Sequence, residues 1–321
     1  MMGNVTSTAP SDLRIQVIVL VGPTGVGKTE LSLQLAERLN GEIISADSRL
    51  FYRGMDIGTA KPDPTDRARV PHHLIDIAEP DQTISLAEFQ RLAHEAILEI
   101  VGRGRIPLLV GGTGQYIRAV TAGWSPPRVA PDDALRDELM RLAAERSGLW
   151  LHRRLQSLDA QAAAGIDARN TRRTVRALEV ILTSGRRFSE QRLRGDSPYR
   201  VTLIGLRRPR AELYARIDAR IESMWQQGLL EETRRLLERG YERGLPSMSA
   251  IGYSQCVAVI DGTLEPEQAK AEMRRLTRAF VRRQANWFKE ADPGIIWFDA
   301  GAVGAVDTIT ALVKPKLEFG P

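Results

Sequence analysis

Eight consecutive residues near the start of the chain have the types and spacing that bind phosphate groups. They match the pattern G-x-x-x-x-G-K-[ST] and are Gly22, Pro23, Thr24, Gly25, Val26, Gly27, Lys28 and Thr29. Backbone N–H groups of such a loop point inward, and the dipole of a following helix adds partial positive charge. Lys28 supplies a cation, and the Thr29 hydroxyl is placed to bind Mg²⁺. We therefore expect a site for a diphosphate or a triphosphate.

The elements that must position this loop are a strand and a helix. Val17–Val21 is an apolar run typical of a buried parallel strand. Glu30–Leu39 has apolar residues at helical spacing, and Asn40 with Gly41 should end that helix. A glycine-rich turn with a chance lysine is the alternative, and the strand-to-helix context disfavours it.

An acidic side chain is expected beside the phosphate loop. Glu42–Asp47 has the pattern of a short strand that ends in a carboxylate. In an open parallel sheet, ligands gather beyond the carboxyl ends of the strands, so Asp47 should lie next to the loop. The following segment, Ser48–Pro62, is rich in glycine and functional groups, which favours a functional loop over a simple connector.

Strands and helices alternate further along the chain. We expect a strand at His72–Ile77, a helix at Ser85–Arg103 and a buried strand at Ile106–Val110, which runs into Gly111–Gly114. This order predicts an α/β fold, a P-loop-type doubly wound parallel sheet core. His72 and His73 have no third ligand at metal spacing, so structural roles are favoured for them.

The pattern changes after Trp124, because only helical signals follow from Pro131 to Ser197. We expect a helical insertion domain at residues 129–197, a catalytic core at residues 13–128 and 198–321, and a disordered leader at residues 1–12. The later core elements are expected at Val201–Leu206 (strand), Glu212–Leu237 (a helical stretch broken near Gly228), Met273–Glu290 (helix) and Ile295–Asp299 (strand).

The positive charge of the chain is concentrated in two stretches. The net charge is +5 and the sequence pI is about 9.5. The clustered cations are Arg169, Arg172, Arg173, Arg176, Arg186, Arg187, Arg192 and Arg194, and then Arg274, Arg275, Arg278, Arg282, Arg283 and Lys289. Clustered arginine with nearby aromatic residues indicates a surface that binds a polyanion, and solvated helix faces are the alternative.

Other classes of protein are disfavoured by composition. No apolar run approaches the roughly 20 residues of a membrane span, and the N-terminal segment lacks the features of a signal peptide. Cys256 is the only cysteine, which excludes a disulfide framework. We expect a cytoplasmic monomer with no membrane partner.

The use of the phosphate site depends on the neighbouring acids. A kinase needs a second carboxylate for Mg²⁺, usually at the end of an apolar strand, but Ile106–Val110 ends in glycine. With a diphosphate leaving group, Lys28, the loop amides, Mg²⁺ and an arginine would stabilise the developing negative charge. Asp47 could then accept a proton from an incoming nucleophile.

The chain resembles the tRNA dimethylallyltransferases over nearly its whole length. The motifs that carry the resemblance are GPTGVGKT (22–29), ADS (46–48), YRGMDIGTAKP (52–62), HHLIDI (72–77), IPLLVGGTG (106–114), RALEV (176–180), SAIGY (249–253) and RRQANWF (282–288). A phosphate loop alone is common, but its combination with YRGMDIGTAKP and VGGTG in this order points to one family.

The resemblance implies transfer of a dimethylallyl group from dimethylallyl diphosphate to the exocyclic amine of an adenosine. That adenosine lies just 3′ of the anticodon in tRNAs reading codons that begin with uridine. The phosphate loop would hold the diphosphate of the donor rather than ATP. Asp47 matches the general base of the family, Thr113 a tRNA-contacting catalytic position, and Arg216 a basic residue at the diphosphate.

The resemblance also implies which stretches contact the tRNA anticodon stem-loop. They are Asp47, Ser48, Arg49 and Leu50; Arg172, Arg173, Thr174, Val175 and Arg176; Ser249, Ala250, Ile251, Gly252, Tyr253 and Ser254; and Arg282, Arg283, Gln284, Ala285, Asn286, Trp287, Phe288 and Lys289. The chain departs from the family pattern at Gln115, Arg172, Ser254, Ala285 and Asn286. These departures bear on individual RNA contacts rather than on the reaction.

Other functions fit parts of the pattern. A small-molecule phosphotransferase would hold ATP in the loop, and an RNA-binding switch protein would use the loop to sense a nucleotide. Transfer of the same group to free adenine nucleotides is a closer alternative. The long basic insertion argues against it, because such an insertion indicates a macromolecular acceptor.

Overall fold

The computed structural model describes residues 14–125, 127, 129–191, 193–194 and 196–317. The predicted leader at residues 1–12 and Arg192 lie outside the described residues.

Within the described residues, six strands form one parallel sheet. The strands of the chain are β1 (Ile15–Val21), β2 (Gly41–Ser45), β3 (His72–His73), β4 (Ile106–Gly111), β5 (Trp124–Ser125), β6 (Leu193–Arg194), β7 (Tyr199–Arg207) and β8 (Ile296–Asp299). The order in the sheet is β3-β2-β4-β1-β7-β8, while β5 and β6 pair separately and antiparallel. The predicted α/β parallel-sheet core is confirmed.

The described residues also form α-helices. They are α1 (Lys28–Leu39), α2 (Pro64–Arg69), α3 (Leu86–Gly102), α4 (Gly114–Thr121), α5 (Asp133–Arg146), α6 (Gly148–Leu158), α7 (Ala160–Ala164), α8 (Thr171–Ser184), α9 (Arg210–Gln226), α10 (Leu229–Glu238), α11 (Tyr253–Ile260), α12 (Pro266–Ala285) and α13 (Ala305–Leu317). A short 3₁₀ helix spans Ser189–Gln191.

Strand β1 lies in the middle of the sheet and is apolar because both of its faces are covered. Ile18 and Leu20 belong to a core cluster with residues of α1, α9 and α13, whereas Val17, Val19 and Val21 belong to a second cluster with residues of α3 and α4. β4 and β7 flank β1. This central position places the loops after β1 and β4 at the same edge of the sheet.

Two predicted elements differ from the structure by several residues at one end. The predicted strand His72–Ile77 ends at His73, and Asp76 adopts a left-handed φ of 57°. The last predicted core helix begins at Pro266 rather than Met273, because Pro266 and its neighbours form a polar first turn without an apolar signal. Helices α11 and α13 were not predicted from the sequence.

The chain divides into two compact units, Met1–Thr121 with Pro198–Pro321, and Ala122–Ser197. The second unit has its own apolar core, which includes Leu151, Leu155 and Leu178. Helices α5, α6 and α8 were predicted from the sequence, but helix α7 and strand β6 were not expected there. In the part of the chain that the structure describes, no helix is long and apolar enough to cross a membrane.

Candidate active site

The phosphate loop connects β1 to α1 with a backbone that requires glycine. Gly25 and Gly27 have φ values of 81° and 108°, in the region that side chains disfavour. α1 begins directly at Lys28, so the first turn of the helix, with the exposed Thr29, follows the loop. The predicted strand, loop and helix are all present at this point of the fold.

Cationic side chains hold the carbonyl groups of the phosphate loop. Lys28 Nζ donates to the carbonyl oxygens of Gly22 and Pro23, both at 2.9 Å. Arg216 Nε, on α9, donates to the Gly25 carbonyl at 2.8 Å.

Arg208 adds a third cation to the loop. Its Nε donates to the Val26 carbonyl at 2.9 Å, and its guanidinium also bonds the Ala300 carbonyl at 2.8 Å. Arg216 was predicted at this site, whereas Arg208 was missed because no local motif marks it.

Asp47, Lys28 and Arg220 form one electrostatic cluster. Burial lowers the pKa of Lys28 to about 8, against the attraction of Asp47, which favours the charged form. Burial also lowers the pKa of Arg220, and Asp47 again opposes the shift. Arg220 was missed in the sequence, although its i,i+4 spacing from Arg216 on α9 places both on one helix face.

Asp47 follows β2, at the edge of the sheet where the phosphate loop lies. Its Oδ1 accepts a hydrogen bond from the backbone N–H of Arg49 at 3.0 Å, which fixes the carboxylate. Thr113 follows β4 and begins α4, since its carbonyl accepts from the N–H groups of Tyr116 and Ile117 at 3.0 and 3.2 Å. The neighbouring strands therefore bring Asp47 and Thr113 to one cavity.

A cavity of about 360 Å³ opens between these groups. Its polar lining includes Thr24, Asp47, Ser48, Arg49, Thr59, Thr113, Arg220, Ser249, Thr277 and Arg283. Its apolar lining includes Ile217, Ile221, Met224, Ala250, Ile251, Met273 and Phe280. A cavity with one carboxylate, several cations and an apolar wall suits a small ligand that has an anionic and an apolar part.

The loop Tyr52–Pro62 contributes Gly58 and Thr59 to the cavity and is held by the buried carboxylate of Glu232. That carboxylate accepts hydrogen bonds from the backbone N–H groups of Asp56 (3.1 Å), Ile57 (3.0 Å) and Gly58 (3.4 Å). Tyr253 also donates its hydroxyl to Glu232 at 2.6 Å, and burial raises the pKa of this tyrosine.

Lys61 closes the same loop from the other end. Its side chain is only 1% exposed and binds Asp56 and Asp76, each at 2.5 Å. Burial alone would raise the pKa of Asp76, but hydrogen bonds from Lys61 and Arg67 hold it below its usual value. Asp76 is therefore part of a structural ion-pair network.

The rim of the site carries aromatic side chains paired with arginines. Arg283 lies 5.8 Å from the ring centre of Phe280, and Arg118 lies 5.4 Å from that of Trp287. Phe280 and Trp287 are 36% and 38% exposed, which is unusual for residues of their size. Exposed rings beside cations are suited to stacking unpaired bases.

The comparisons with known proteins agree with this geometry. The family model described as IPP transferase matches residues 50–291. The chain belongs to the IPP transferase family. It is similar to a protein named tRNA dimethylallyltransferase from Roseiflexus sp. (strain RS-1), with 52% identity covering 95% of this chain and 99% of the relative.

Two solved structures extend the similarity to the fold. A full-length tRNA isopentenylpyrophosphate transferase from Bacillus halodurans is 41% identical with a TM-score of 0.70, covering 94% of this chain and 97% of that one. A eukaryotic dimethylallyltransferase described as acting on tRNA has a TM-score of 0.78 at 24% identity, covering 96% of this chain and 80% of that one. At that identity the second similarity is one of fold.

Several residues that were predicted to contact RNA have buried side chains. These residues are Thr174, Val175, Tyr253, Gln284 and Phe288, each at most 7% exposed. Tyr253 binds Glu232, and Gln284 binds the phosphate loop. The side chains of these residues pack inside the unit to which each belongs.

Most of the other predicted residues keep accessible surface, whereas Gly252 is buried. Those exposed are Arg172, Arg173, Ser249, Arg282, Arg283, Ala285, Asn286, Trp287 and Lys289, and those partly exposed are Asp47, Ser48, Arg49, Leu50, Thr113, Arg176, Ile251 and Ser254. Ala250 is buried in the wall of the cavity. Arg176 also binds Glu179 at 2.8 Å.

The residues near the phosphate loop fit a metal ion that is held largely by the phosphate groups of a bound substrate. Among the described residues, no group of three or more His, Cys, Asp or Glu side chains could hold a metal on its own. Mg²⁺ retains waters and commonly binds one or two protein oxygens together with substrate phosphates. The exposed Thr29 hydroxyl at the start of α1 is an oxygen of this kind.

Proposed function

We propose that this chain transfers a dimethylallyl group from dimethylallyl diphosphate to an adenosine of tRNA. The acceptor is the exocyclic amine of the adenosine just 3′ of the anticodon in tRNAs reading codons that begin with uridine. The observation that carries this proposal is the cavity that joins Asp47, Thr113 and the Thr24 end of the phosphate loop to an apolar wall. Relatives at about half identity carry the name tRNA dimethylallyltransferase.

The reaction exchanges one bond for another. The adenine nitrogen forms a bond to the first carbon of the dimethylallyl group, and the bond from that carbon to the diphosphate oxygen breaks. The electron pair leaves with the diphosphate, and the proton of the amine passes to Asp47. The amine is a poor nucleophile because its lone pair is delocalised into the ring, so a carboxylate that accepts its proton assists the attack.

The phosphate loop stabilises the leaving group in this proposal. Lys28 and the loop amides face the diphosphate, and Arg216 and Arg220 add positive charge beside the loop. Mg²⁺ bound at Thr29 would neutralise further negative charge on the diphosphate. An allylic diphosphate separates readily once this charge is balanced.

The RNA binds at the rim on this account. The target adenosine must leave the stack of the anticodon loop to reach Asp47, as other bases do when an enzyme modifies them. Trp287, Phe280 and Arg283 offer stacking surfaces and positive charge beside the cavity. The exposed Arg172 and Arg173 of the helical insertion are proposed to bind the RNA backbone. We also propose that the protein acts as a cytoplasmic monomer.

The test is incubation of the protein with unmodified tRNA, dimethylallyl diphosphate and Mg²⁺, followed by mass spectrometry of the digested nucleosides. We expect dimethylallyladenosine from the position 3′ of the anticodon. A parallel reaction with adenosine monophosphate as acceptor should give no product. Modification of the free nucleotide alone, or phosphate transfer from ATP without alkylation of RNA, would overturn the proposal.

A further inference from the structure

Gln284 joins the two loops that face each other across the site. It lies in the last turn of α12 and is 6% exposed. Its Oε1 accepts from the backbone N–H of Thr24 at 2.9 Å, and its Nε2 donates to the carbonyl of Gly112 at 3.2 Å. Thr24 belongs to the phosphate loop, and Gly112 precedes Thr113. The side-chain amide of Gln284 therefore connects the loop proposed to hold the dimethylallyl donor to the turn proposed to lie beside the adenosine.

The fit of this amide is close. A Cβ on Gly112 would lie 2.2 Å from Nε2 of Gln284, so only glycine leaves room for the side chain. A Cβ on Gly114 would lie 2.4 Å from the ring of Trp287. The end of α12 consequently packs against both sides of the Thr113 turn.

α12 is itself anchored along α9 by ion pairs. Arg278 binds Asp218 at 2.6 Å, and Lys270 binds Glu222 at 3.1 Å. Arg274 binds Glu222 as well. Because α9 also carries Arg216 and Arg220, the helix that holds Gln284 is fixed to the helix that contacts the phosphate loop.

We propose that Gln284 is a positioning residue that keeps the phosphate loop and the Gly112–Thr113 turn in one fixed relation. The inference rests on the proposed function, because the two loops would hold the two reactants. The side chain acts through Thr24 and Gly112 and touches neither substrate. Small displacements of aligned reactants slow a bond-forming step strongly even when each reactant still binds.

The first experiment compares Gln284→Met with Gln16→Met. Methionine keeps the volume of Gln284 and removes both hydrogen bonds. Gln16 makes the same kind of bridge elsewhere, since its amide donates to Thr202 Oγ1 at 3.0 Å and accepts from Arg200 Nε at 2.7 Å. It lies near the start of β1, at the edge of the sheet remote from the phosphate loop.

For Gln284→Met we expect kcat to fall about 10–100-fold. The KM for dimethylallyl diphosphate and the Kd for an anticodon stem-loop RNA should stay within about 3-fold of wild type, because the binding groups are intact. Gln16→Met should retain wild-type kcat. An unchanged kcat in Gln284→Met, or a rise in KM with kcat unchanged, would overturn the inference.

A second variant separates positioning from a loss of folding. In Gln284→Glu the ionised carboxylate can accept from Thr24 but cannot donate to Gly112, whereas the protonated acid can do both. We expect the ratio of its kcat to that of wild type to rise several-fold as the pH falls from about 8 to about 6, because burial favours the protonated form. A ratio that is flat or falls with decreasing pH contradicts the bridging role. If wild-type protein forms no product, the proposed function itself has failed.

Discussion

The two loops that border the cavity are held in opposite ways. In the phosphate loop, Lys28 and Arg216 donate hydrogen bonds to backbone carbonyl groups. In the loop Tyr52–Pro62, the carboxylate of Glu232 accepts hydrogen bonds from backbone N–H groups, and Lys61 closes the other end. Positive side chains hold carbonyl groups of the first loop, whereas a negative side chain holds N–H groups of the second.

The contrast explains what each loop can do. In the phosphate loop cations bind the carbonyl groups, and the N–H groups other than those of Thr24 and Val26 can be offered to an anionic ligand. In the second loop, Glu232 binds the N–H groups of Asp56, Ile57 and Gly58, so this segment forms a wall of the cavity and not an anion site. Substitutions at each loop and at Asp47, between them in the chain, should therefore produce different defects.

The largest effect is expected at Asp47. Asp47→Asn removes the proton acceptor and keeps the shape of the side chain, so kcat should fall about 10²–10⁴-fold with RNA binding retained. Single-turnover rates and stem-loop binding measured on the same preparation check this. Parallel losses of binding and rate would instead assign Asp47 a structural role.

Removal of a cation from the phosphate loop should impair use of the donor. Arg216→Ala is expected to lower kcat/KM for dimethylallyl diphosphate about 10²-fold, since a group that stabilises the leaving oxygen is lost. Arg210→Ala, an exposed arginine on the same helix, is the matched control and should behave as wild type. Initial rates over a range of donor concentrations distinguish the two. If kcat/KM for the donor is the same in both variants, Arg216 does not take part in donor use.

Loss of the carboxylate that holds the second loop should mainly reduce stability. Glu232→Ala leaves the buried Tyr253 hydroxyl and the partly buried N–H groups of Asp56 and Ile57 without their acceptor, so the free energy of unfolding should fall by about 2–4 kcal/mol. Urea unfolding measures this change in the free energy of unfolding. Glu231→Ala, at an exposed neighbour, should change stability by about 0.5 kcal/mol or less. If Glu232→Ala lowers the free energy of unfolding no more than Glu231→Ala does, Glu232 does not hold the loop Tyr52–Pro62.

The smallest effect is a dependence on pH. Burial lowers the pKa of Lys28 to about 8, so the free enzyme loses this cation as the pH rises through that value and not near 10.5. The value of kcat/KM for the donor should therefore fall several-fold from pH 8 to about pH 9. In Lys28→Met the rate is low throughout and this fall should be absent. Retention of the fall in Lys28→Met would assign it to another group.

The same contrast shows how far sequence predicts structure here. The phosphate loop, β1, α1 and the positions of Asp47 and Thr113 follow from a local motif and from the rule that ligands gather where parallel strands end. Glu232 could not be found this way, because it is 176 residues from Asp56, the first N–H it accepts.

The burial of Tyr253 and Gln284 was not predicted from the sequence, for a related reason. Both lie in stretches that the family resemblance assigns to RNA, but their burial depends on how α11 and α12 pack. Arg208 and Arg220 were missed because their partners are distant in sequence. A motif identifies the chemistry of a segment, and the packing decides which of its side chains face the ligand.

The central claim is that the phosphate loop holds the diphosphate leaving group of an alkyl donor and not ATP. The direct measurement follows diphosphate release and tRNA alkylation together, in a reaction with dimethylallyl diphosphate and Mg²⁺ but no nucleoside triphosphate. We predict that one diphosphate is released per modified adenosine and that added ATP does not accelerate the reaction. A requirement for ATP, or alkylation without equal release of diphosphate, would contradict the account.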